Sequence, residues 1–205
     1  MGPWEGPWPT GAEYDAQLLA EGDRRNVVDR YRYWTLPAIV ADLDRRRHDF
    51  HVAIENCQHD YNIGTIVRSA NAFLAREVHI VGNRRWNRRG AMVTDRYQHV
   101  RHHDDAPSLA AYLHGLDTPV RMLGIDNLPG SEHLETMALP REVCFLFGQE
   151  GPGLSEQARE VCDGTFSIAQ FGSTRSINAS SAAAIAMHSW IREYADLGGD
   201  DAWRG

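Results

Sequence analysis

The amino-acid sequence predicts an α/β fold: a mostly parallel sheet with helices on both faces. Three observations predict it. Short apolar, strand-like runs alternate with helical segments along the 205-residue chain, as where parallel strands are joined by helical crossovers. One run, VCFLFG from Val143 to Gly148, is the most apolar of them, the mark of a strand buried on both faces at the sheet centre. The composition, 42% hydrophobic and 24% charged, suits a globular domain whose core needs no metal or disulfide staples.

Taken in order, residues 1 to about 22 are rich in Pro and Gly and are expected to be poorly ordered, with Trp4 and Trp8 free to dock. Asn26 to Arg47 reads as helical. Pro37 suits the first turn of a second helix there, and Arg45, Arg46 and Arg47 complement the dipole at its end. His51–Glu55 is a strand, Ile63–Leu74 a helix started by Asn62, and Val78–Gly82 a strand that leads into an arginine-rich loop. Ala106–His114 is a helix with Pro107 near its start, and Val120–Asp126 and Val143–Gly148 are strands. Ser155 caps a helix to Cys162, Thr165–Ala169 is a short strand, and Asn178 to about Ala195 is the last helix. The chain thus divides into an N-terminal extension (1–47), a main domain (48–197) and a short flexible tail (198–205). In sheets of this kind ligands sit beyond the carboxyl ends of the strands.

Absences exclude several function classes. All 21 basic residues are arginine, so there is no Walker-A phosphate loop and no Schiff-base chemistry. Any grip on phosphate or carboxylate must come from guanidinium forks, backbone amides or helix ends. Cys57, Cys144 and Cys162 are too few and too scattered for a disulfide framework or a CxxC site. No apolar run approaches the roughly 20 residues of a membrane-spanning helix. The first residues, MGPWEGPWPTGAEYDAQ, lack the basic flank and apolar stretch of a secretory signal. The expectation is a cytoplasmic protein with no membrane partner.

A net charge of −7 argues at first against a nucleic-acid partner, but the charge is uneven. Between Arg76 and His103, seven arginines (Arg76, Arg84, Arg85, Arg88, Arg89, Arg96 and Arg101) stand against two acids, Glu77 and Asp95. This window carries +5, and the rest of the chain −12. A basic patch on an acidic body is more informative than either total. Within it RRWNRR sets Trp86 between two arginine pairs, and Tyr97 follows Arg96. That interleaving suits phosphate contact with base stacking, and makes Arg84, Arg85, Arg88, Arg89 and Arg96 the RNA-binding candidates. The competing reading is a solvated loop with Trp86 tucked into the core.

Three loops carry chemistry. In NCQHDYNIGTIVR (Asn56–Arg68), Asn62 suits a helix cap and Gly64 leaves the first turn open to a ligand. Arg68 projects from the first two turns toward whatever binds at the helix start. GQEGPGLS (Gly148–Ser155) follows the central strand; three glycines and a proline make a sharply turning backbone with exposed amides, and Glu150 is its only charge. It is not a GxGxxG fingerprint, so a dinucleotide site is weakly supported. FGSTRSINASSAAAIAMH (Phe171–His188) puts Ser176 and Asn178 at the start of a helix whose small residues allow close packing, against a loop or a second subunit. Such a helix start can hold a carboxylate or phosphate.

In this order and spacing the loops resemble the SpoU/TrmH family of SPOUT RNA methyltransferases. Asn62, Gly64 and Arg68 match the family's Asn-x-Gly-x-x-x-Arg. Gly148, Glu150, Gly151 and Gly153 match its Gly-x-Glu-Gly-x-Gly, and Ser176, Asn178 and Ser180 match its Ser-x-Asn-x-Ser before an Ala-rich helix. The resemblance covers about residues 50 to 195. Two positions depart: the family's usual Ile-Pro-Met is Ile168-Ala169-Gln170 here, and Arg175 stands where a neutral residue is common. The resemblance implies a deep C-terminal trefoil knot, which sequence physics would not propose because threaded chains are so rare. It also implies S-adenosyl-L-methionine bound in the knot, methyl transfer to a ribose 2′-hydroxyl of tRNA or rRNA, and an obligate homodimer. By position it implies a cofactor site at Gly148, Gly151, Gly153, Ile168 and Ile177, and a catalytic group of Arg68, Glu150, Ser176 and Asn178 supported by Asn62.

A 2′-hydroxyl is a poor nucleophile, and a guanidinium hardly ever gives up its proton. Arg68 is therefore better suited to anchor the adjacent phosphate and stabilise negative charge on the oxygen, leaving deprotonation to that phosphate or to water. Ser176 and Asn178 would orient the ribose, and Glu150 would fix Arg68 or a loop amide. No metal is required, and His102-His103-Asp104-Asp105 is expected to be a solvated turn. The last helix is expected to pack on a second subunit beside the Ile63–Leu74 helix, through Ala182, Ile185, Ala186 and Ser189, with Met187, Trp190 and Ile191 extending the apolar surface. Two rival readings are an RNA-binding protein that keeps the fold without catalysis, which the filled catalytic positions disfavour, and a methyltransferase of a base nitrogen, which needs a different general base.

Overall fold

The computed structural model describes residues 1–56 and 62–198. The chain forms two compact units, Met1–Arg47 and His48–Gly205. Cys57 in the first loop and all but the first residue of the expected C-terminal tail lie outside the described residues.

In the first unit the Pro- and Gly-rich start, residues 1–13, carries no helix or strand and is mostly exposed. Helix α1 (Ala16–Glu21) begins at Asp15, whose carboxylate accepts from the amides of Gln17 and Leu18 at 2.9 and 3.2 Å. Trp4 packs edge-on against Tyr14 and Tyr33, and its amide donates to the Leu19 carbonyl. Buried Asp23 ties the unit together by accepting from the Arg25 guanidinium and the Tyr33 amide. Burial pushes its carboxyl up, but these donors outweigh it and hold the group far below the usual carboxylate range. Only part of Asn26–Arg47 is α-helical. Asp29–Tyr31 is a single 3-10 turn, Tyr33 adopts a left-handed backbone (φ 64°) that breaks the run, and α2 (Leu36–Asp44) then starts from Thr35 with Pro37 in its first turn.

The second unit alternates strand and helix. It runs β1 (Phe50–Asn56), α3 (Asn62–Ala72), β2 (Val78–Gly82), β3 (Val100–His103), α4 (Ala106–His114), β4 (Arg121–Ile125), β5 (Glu132–His133), β6 (Val143–Phe147), α5 (Glu156–Val161), β7 (Gly164–Ser167) and α6 (Ala179–Tyr194). The seven strands form one sheet in the order β3-β2-β1-β6-β4-β7-β5, and every pairing is parallel. The apolar VCFLF run, β6, is the fourth of seven, at the centre where its composition puts it. Strands β3 and β5 escape the sequence reading because one is a polar VRHH run and the other only two residues long.

Alternation along the strands supplies both faces. Phe50, Val52 and Ile54 of β1 and Val143, Phe145 and Phe147 of β6 meet Ile63, Ile66 and Val67 of α3 and Ala183, Ala186, Met187 and Trp190 of α6. Cys144 and Leu146 point the other way, onto Leu109 and Leu113 of α4 and Ala158 of α5. This corrects the face assigned to the last helix: Ala186, Met187 and Trp190 belong to the chain's own core, and Ile185 is exposed on the outer side, with Ala182 and Ser189 half-buried.

The His102–Asp105 run is not a solvated turn. His102 and His103 end β3, His103 is buried, and Asp105 forms a capping box with Ser108 at the start of α4. His103 completes a ladder across three adjacent strands. His51 Nδ1 lies 3.0 Å from His79 Nε2, and His79 Nδ1 lies 3.0 Å from His103 Nε2. Glu77 stands beside them, accepting from the Tyr112 hydroxyl at 2.7 Å and from Arg101 at 2.9 Å. Donor atoms of His51, Glu77 and His79 lie within 4.8 Å of one another, a spacing compatible with a metal ion.

Burial holds all three imidazoles below their ordinary range, His51 down to about 4. Unfolded imidazoles take up protons near pH 6.5 while the buried ones stay neutral, so the unfolded state binds more protons below that pH. Stability is therefore expected to be level above pH 6.5 and to fall as pH drops toward 4. Urea unfolding between pH 7.5 and 5, where most carboxylates remain ionised, checks this; a flat profile would contradict it.

Candidate active site

A cleft of about 240 Å³ opens beyond the carboxyl ends of β4, β6 and β7, at the start of α6. This is where an open parallel sheet presents its loops to a ligand. Gly148, Glu150, Gly151 and Gly153 line one side, and Ile168, Ser176, Ile177 and Asn178 the other.

The glycine loop owes its composition to its own folding. Gln149 and Gly153 exchange backbone hydrogen bonds at 3.2 and 3.0 Å, doubling the chain back on itself. A Cβ on Gly148 would lie 2.0 Å from the Gly153 carbonyl carbon. Gly153 has φ +73°, and a Cβ there would lie 2.4 Å from Asp126 Oδ2. Two carboxylates clamp the loop. Asp126, just past β4, accepts from the Leu154 amide at 2.8 Å, and buried Glu55 in β1 takes the Ser155 amide and hydroxyl at 2.8 and 2.6 Å. Sequence reasoning missed both, although an acid at the carboxyl end of an apolar strand is a signal that could have found them.

The three motif loops meet in one chain of hydrogen bonds. Asn62 Nδ2 donates to Glu150 Oε2 at 3.1 Å, and Asn178 Nδ2 donates to Asn62 Oδ1 at 2.8 Å. Asn178 Oδ1 accepts from the Ser180 and Ser181 amides at 2.9 and 3.4 Å, capping α6. A residue in α3, one in the glycine loop and one at the start of α6 thereby fix one another across the cleft rim. Glu150 meets the side chain of Asn62, a partner that the sequence reading did not give it.

Arg68 is not in this cleft. It is exposed on α3 and makes no hydrogen bond or ion pair with any described residue. Nor does Gly64 stand open to a ligand. A Cβ there would come within 2.8 Å of the Ala91 amide and 2.9 Å of Gly90 Cα, so this glycine lets α3 pack onto the arginine loop.

That loop leaves β2 on the side of the sheet where the cleft opens, tied down by Asn56 Nδ2, which donates to the Arg85 carbonyl at 2.9 Å. Arg84, Arg85, Arg88, Arg89 and Arg96 are all exposed. The basic window is narrower than the sequence implies, because Arg76 pairs with Asp49 and Arg101 with Glu77. The aromatic interleaving is also corrected. Trp86 is half-buried against the core with the Arg88 guanidinium 5.4 Å from its ring centre, and Tyr97 is buried. Both serve packing.

Residues 49–188 match the SpoU rRNA Methylase family, well over half of the chain. The chain belongs to that family. It is 27% identical over 159 residues to the tRNA (guanosine(18)-2′-O)-methyltransferase of Escherichia coli (strain K12), spanning 76% of this chain and 69% of that enzyme. It is 31% identical over 150 residues to an uncharacterized tRNA/rRNA methyltransferase of Mycolicibacterium smegmatis, over 69% of this chain but only 46% of the relative. The SpoU methyltransferase AviRb from Streptomyces viridochromogenes, solved in complex with its cofactor AdoMet, superposes with a TM-score of 0.63 at 25% identity, covering 74% of this chain and 60% of AviRb. The TrmH/SpoU tRNA modifying enzyme of A. aeolicus shares the fold, with a TM-score of 0.66 at 18% identity over 77% of this chain and 81% of that one.

In this SpoU-family cleft two lining residues offer acceptors that no described residue satisfies. Gln149 Oε1 and Gln170 Oε1 are buried without a hydrogen-bond partner. Buried polar atoms are normally paired, so a ligand with amino or hydroxyl donors fits here.

Proposed function

We propose that this SpoU-family chain is an S-adenosyl-L-methionine-dependent methyltransferase acting on a ribose 2′-hydroxyl of tRNA or rRNA, in the cytoplasm. The observation that carries the reading is the Glu150–Asn62–Asn178 chain of hydrogen bonds, which joins all three motif loops at the rim of one cleft. Gly148, Gly151, Gly153, Ile168 and Ile177 would hold the cofactor, and the free acceptors on Gln149 and Gln170 suit its amino and hydroxyl donors. When bound, the cofactor supplies a methyl group already activated for transfer. Ser176 and Asn178 hold the ribose in line, and Asn62 and Glu150 keep Asn178 in place.

Arg68 anchors the neighbouring phosphate and stabilises charge developing on the 2′-oxygen. Because Arg68 lies outside its own cleft, the reading requires a homodimer in which it serves the partner's site. Exposed Ile185 on the outer side of α6, with Ala182 and Ser189 beside it, supports such an interface. Family membership further supports a deep C-terminal trefoil knot around the cleft, within a methyltransferase domain of residues 48–197 that follows the 1–47 extension.

Light scattering on the purified protein at micromolar concentration is expected to report about twice the 23.1 kDa chain mass. Calorimetry with S-adenosylhomocysteine is expected to show micromolar binding. A 23 kDa species that still methylates RNA would contradict the shared site, and no binding at millimolar ligand would leave a bare RNA binder.

A further inference from the structure

Within the segment between β7 and α6, residues 171–175 have no role in cofactor or ribose binding as assigned so far. Gln170 and Ser176 both line the cleft, so residues 171–175 between them form its lip, and all five are exposed. Phe171 is 98% exposed, whereas no other large hydrophobic residue among the described ones exceeds 62%. A fully hydrated phenyl ring at the mouth of a cleft forgoes the stabilisation that burial would give it, and a ligand entering the cleft can cover it.

Arg175, at the other end of the lip, has no described ion-pair partner. Its backbone is fixed all the same: Asn127 Nδ2 donates to the Arg175 carbonyl at 2.7 Å, and the Thr174 hydroxyl donates to the Ser176 carbonyl at 2.9 Å. The lip therefore presents a flat apolar ring and a guanidinium fork beside Ser176. The aromatics that the sequence offered for base stacking, Trp86 and Tyr97, are committed to packing.

Resting on the reading of the cleft as a ribose-methylation site, we propose that Phe171 is a stacking platform for a nucleobase of the substrate RNA and that Arg175 grips an adjacent phosphate. Stacking on one face requires an unpaired base, so the lip selects nucleotides in single strands or loops over those in duplex.

The test compares wild type, Phe171→Ala, Phe171→Leu, Phe171→Trp and Arg175→Ala. It measures binding to a single-stranded RNA of about 20 nucleotides and to its duplex, with S-adenosylhomocysteine affinity and dimer mass as controls. Phe171→Ala should weaken single-strand binding by about 5- to 150-fold and leave duplex binding nearly unchanged. Phe171→Trp should bind within a few fold of wild type, and Phe171→Leu should not. Arg175→Ala should lower the slope of log affinity against log salt by about 0.7. Equal rescue by leucine, an unchanged single-strand affinity, or a Phe171→Ala protein that loses its dimer mass would each overturn the proposal. Failure of the parent reading looks different: the wild-type protein itself would then not bind S-adenosylhomocysteine, whatever the Phe171 variants do to RNA binding.

Discussion

Replacing Arg68 by alanine is expected to lower methyl transfer by about 10³-fold or more, with S-adenosylhomocysteine affinity kept within a few fold. The size follows from the role. A donor aimed at charge that develops only during reaction contributes to turnover and little to cofactor binding. Arg68→Lys should fail nearly as badly, since a point charge cannot reproduce a planar fork. The exposed position of Arg68, outside the cleft of its own chain, allows a sharper experiment. Gly148→Ala should destroy the cofactor loop, because its Cβ would collide with the Gly153 backbone. Each variant alone should be inactive. Co-expressed, the two should form mixed dimers in which the Arg68→Ala chain supplies a sound cleft and the Gly148→Ala chain supplies the arginine. Random pairing would restore about a quarter of wild-type activity. No recovery in verified mixed dimers would place the arginine in its own subunit's site.

The second large effect is on RNA. Replacing Arg84, Arg85, Arg88 and Arg89 together by alanine is expected to weaken binding by about 100-fold at low salt and to reduce the log–log salt slope by about 3, the sum of four phosphate contacts. Single replacements should be unequal. Arg88 already pairs with Asp95 at 3.3 Å and lies over Trp86, so its loss should matter less than that of Arg84 or Arg89. An unchanged slope in a fluorescence titration would make the loop a solvated surface.

How much of this was legible in the sequence depended on whether a residue's neighbours lie close along the chain. VCFLFG reads as the central strand because burial on both faces leaves a local trace, and it is the fourth of seven strands. The glycine loop and the Ser176–Asn178 turn read as one site through motif order, and both line the cleft. Gly64 shows the limit. The same residue serves for an approaching ligand or an approaching backbone, and only the fold reveals that the neighbour is Gly90–Ala91. Trp86 was ambiguous for a like reason, since a tryptophan among arginines serves equally to stack on bases or to close the core. The histidine ladder was invisible because it joins residues 24 and 28 positions apart on parallel strands. The buried residues of the N-terminal unit were hidden by composition: proline and glycine suggested disorder, while Leu19, Tyr31, Tyr33 and Asp23 are buried.

In the proposed reaction the 2′-oxygen of a ribose receives the methyl group. Incubating unmodified RNA with the protein and S-adenosylmethionine carrying a deuterated methyl group, digesting to nucleosides and fragmenting them by mass spectrometry tests it directly. The label is expected to leave with the ribose fragment, and the base fragment to keep its unmodified mass. Label on the base fragment would contradict it.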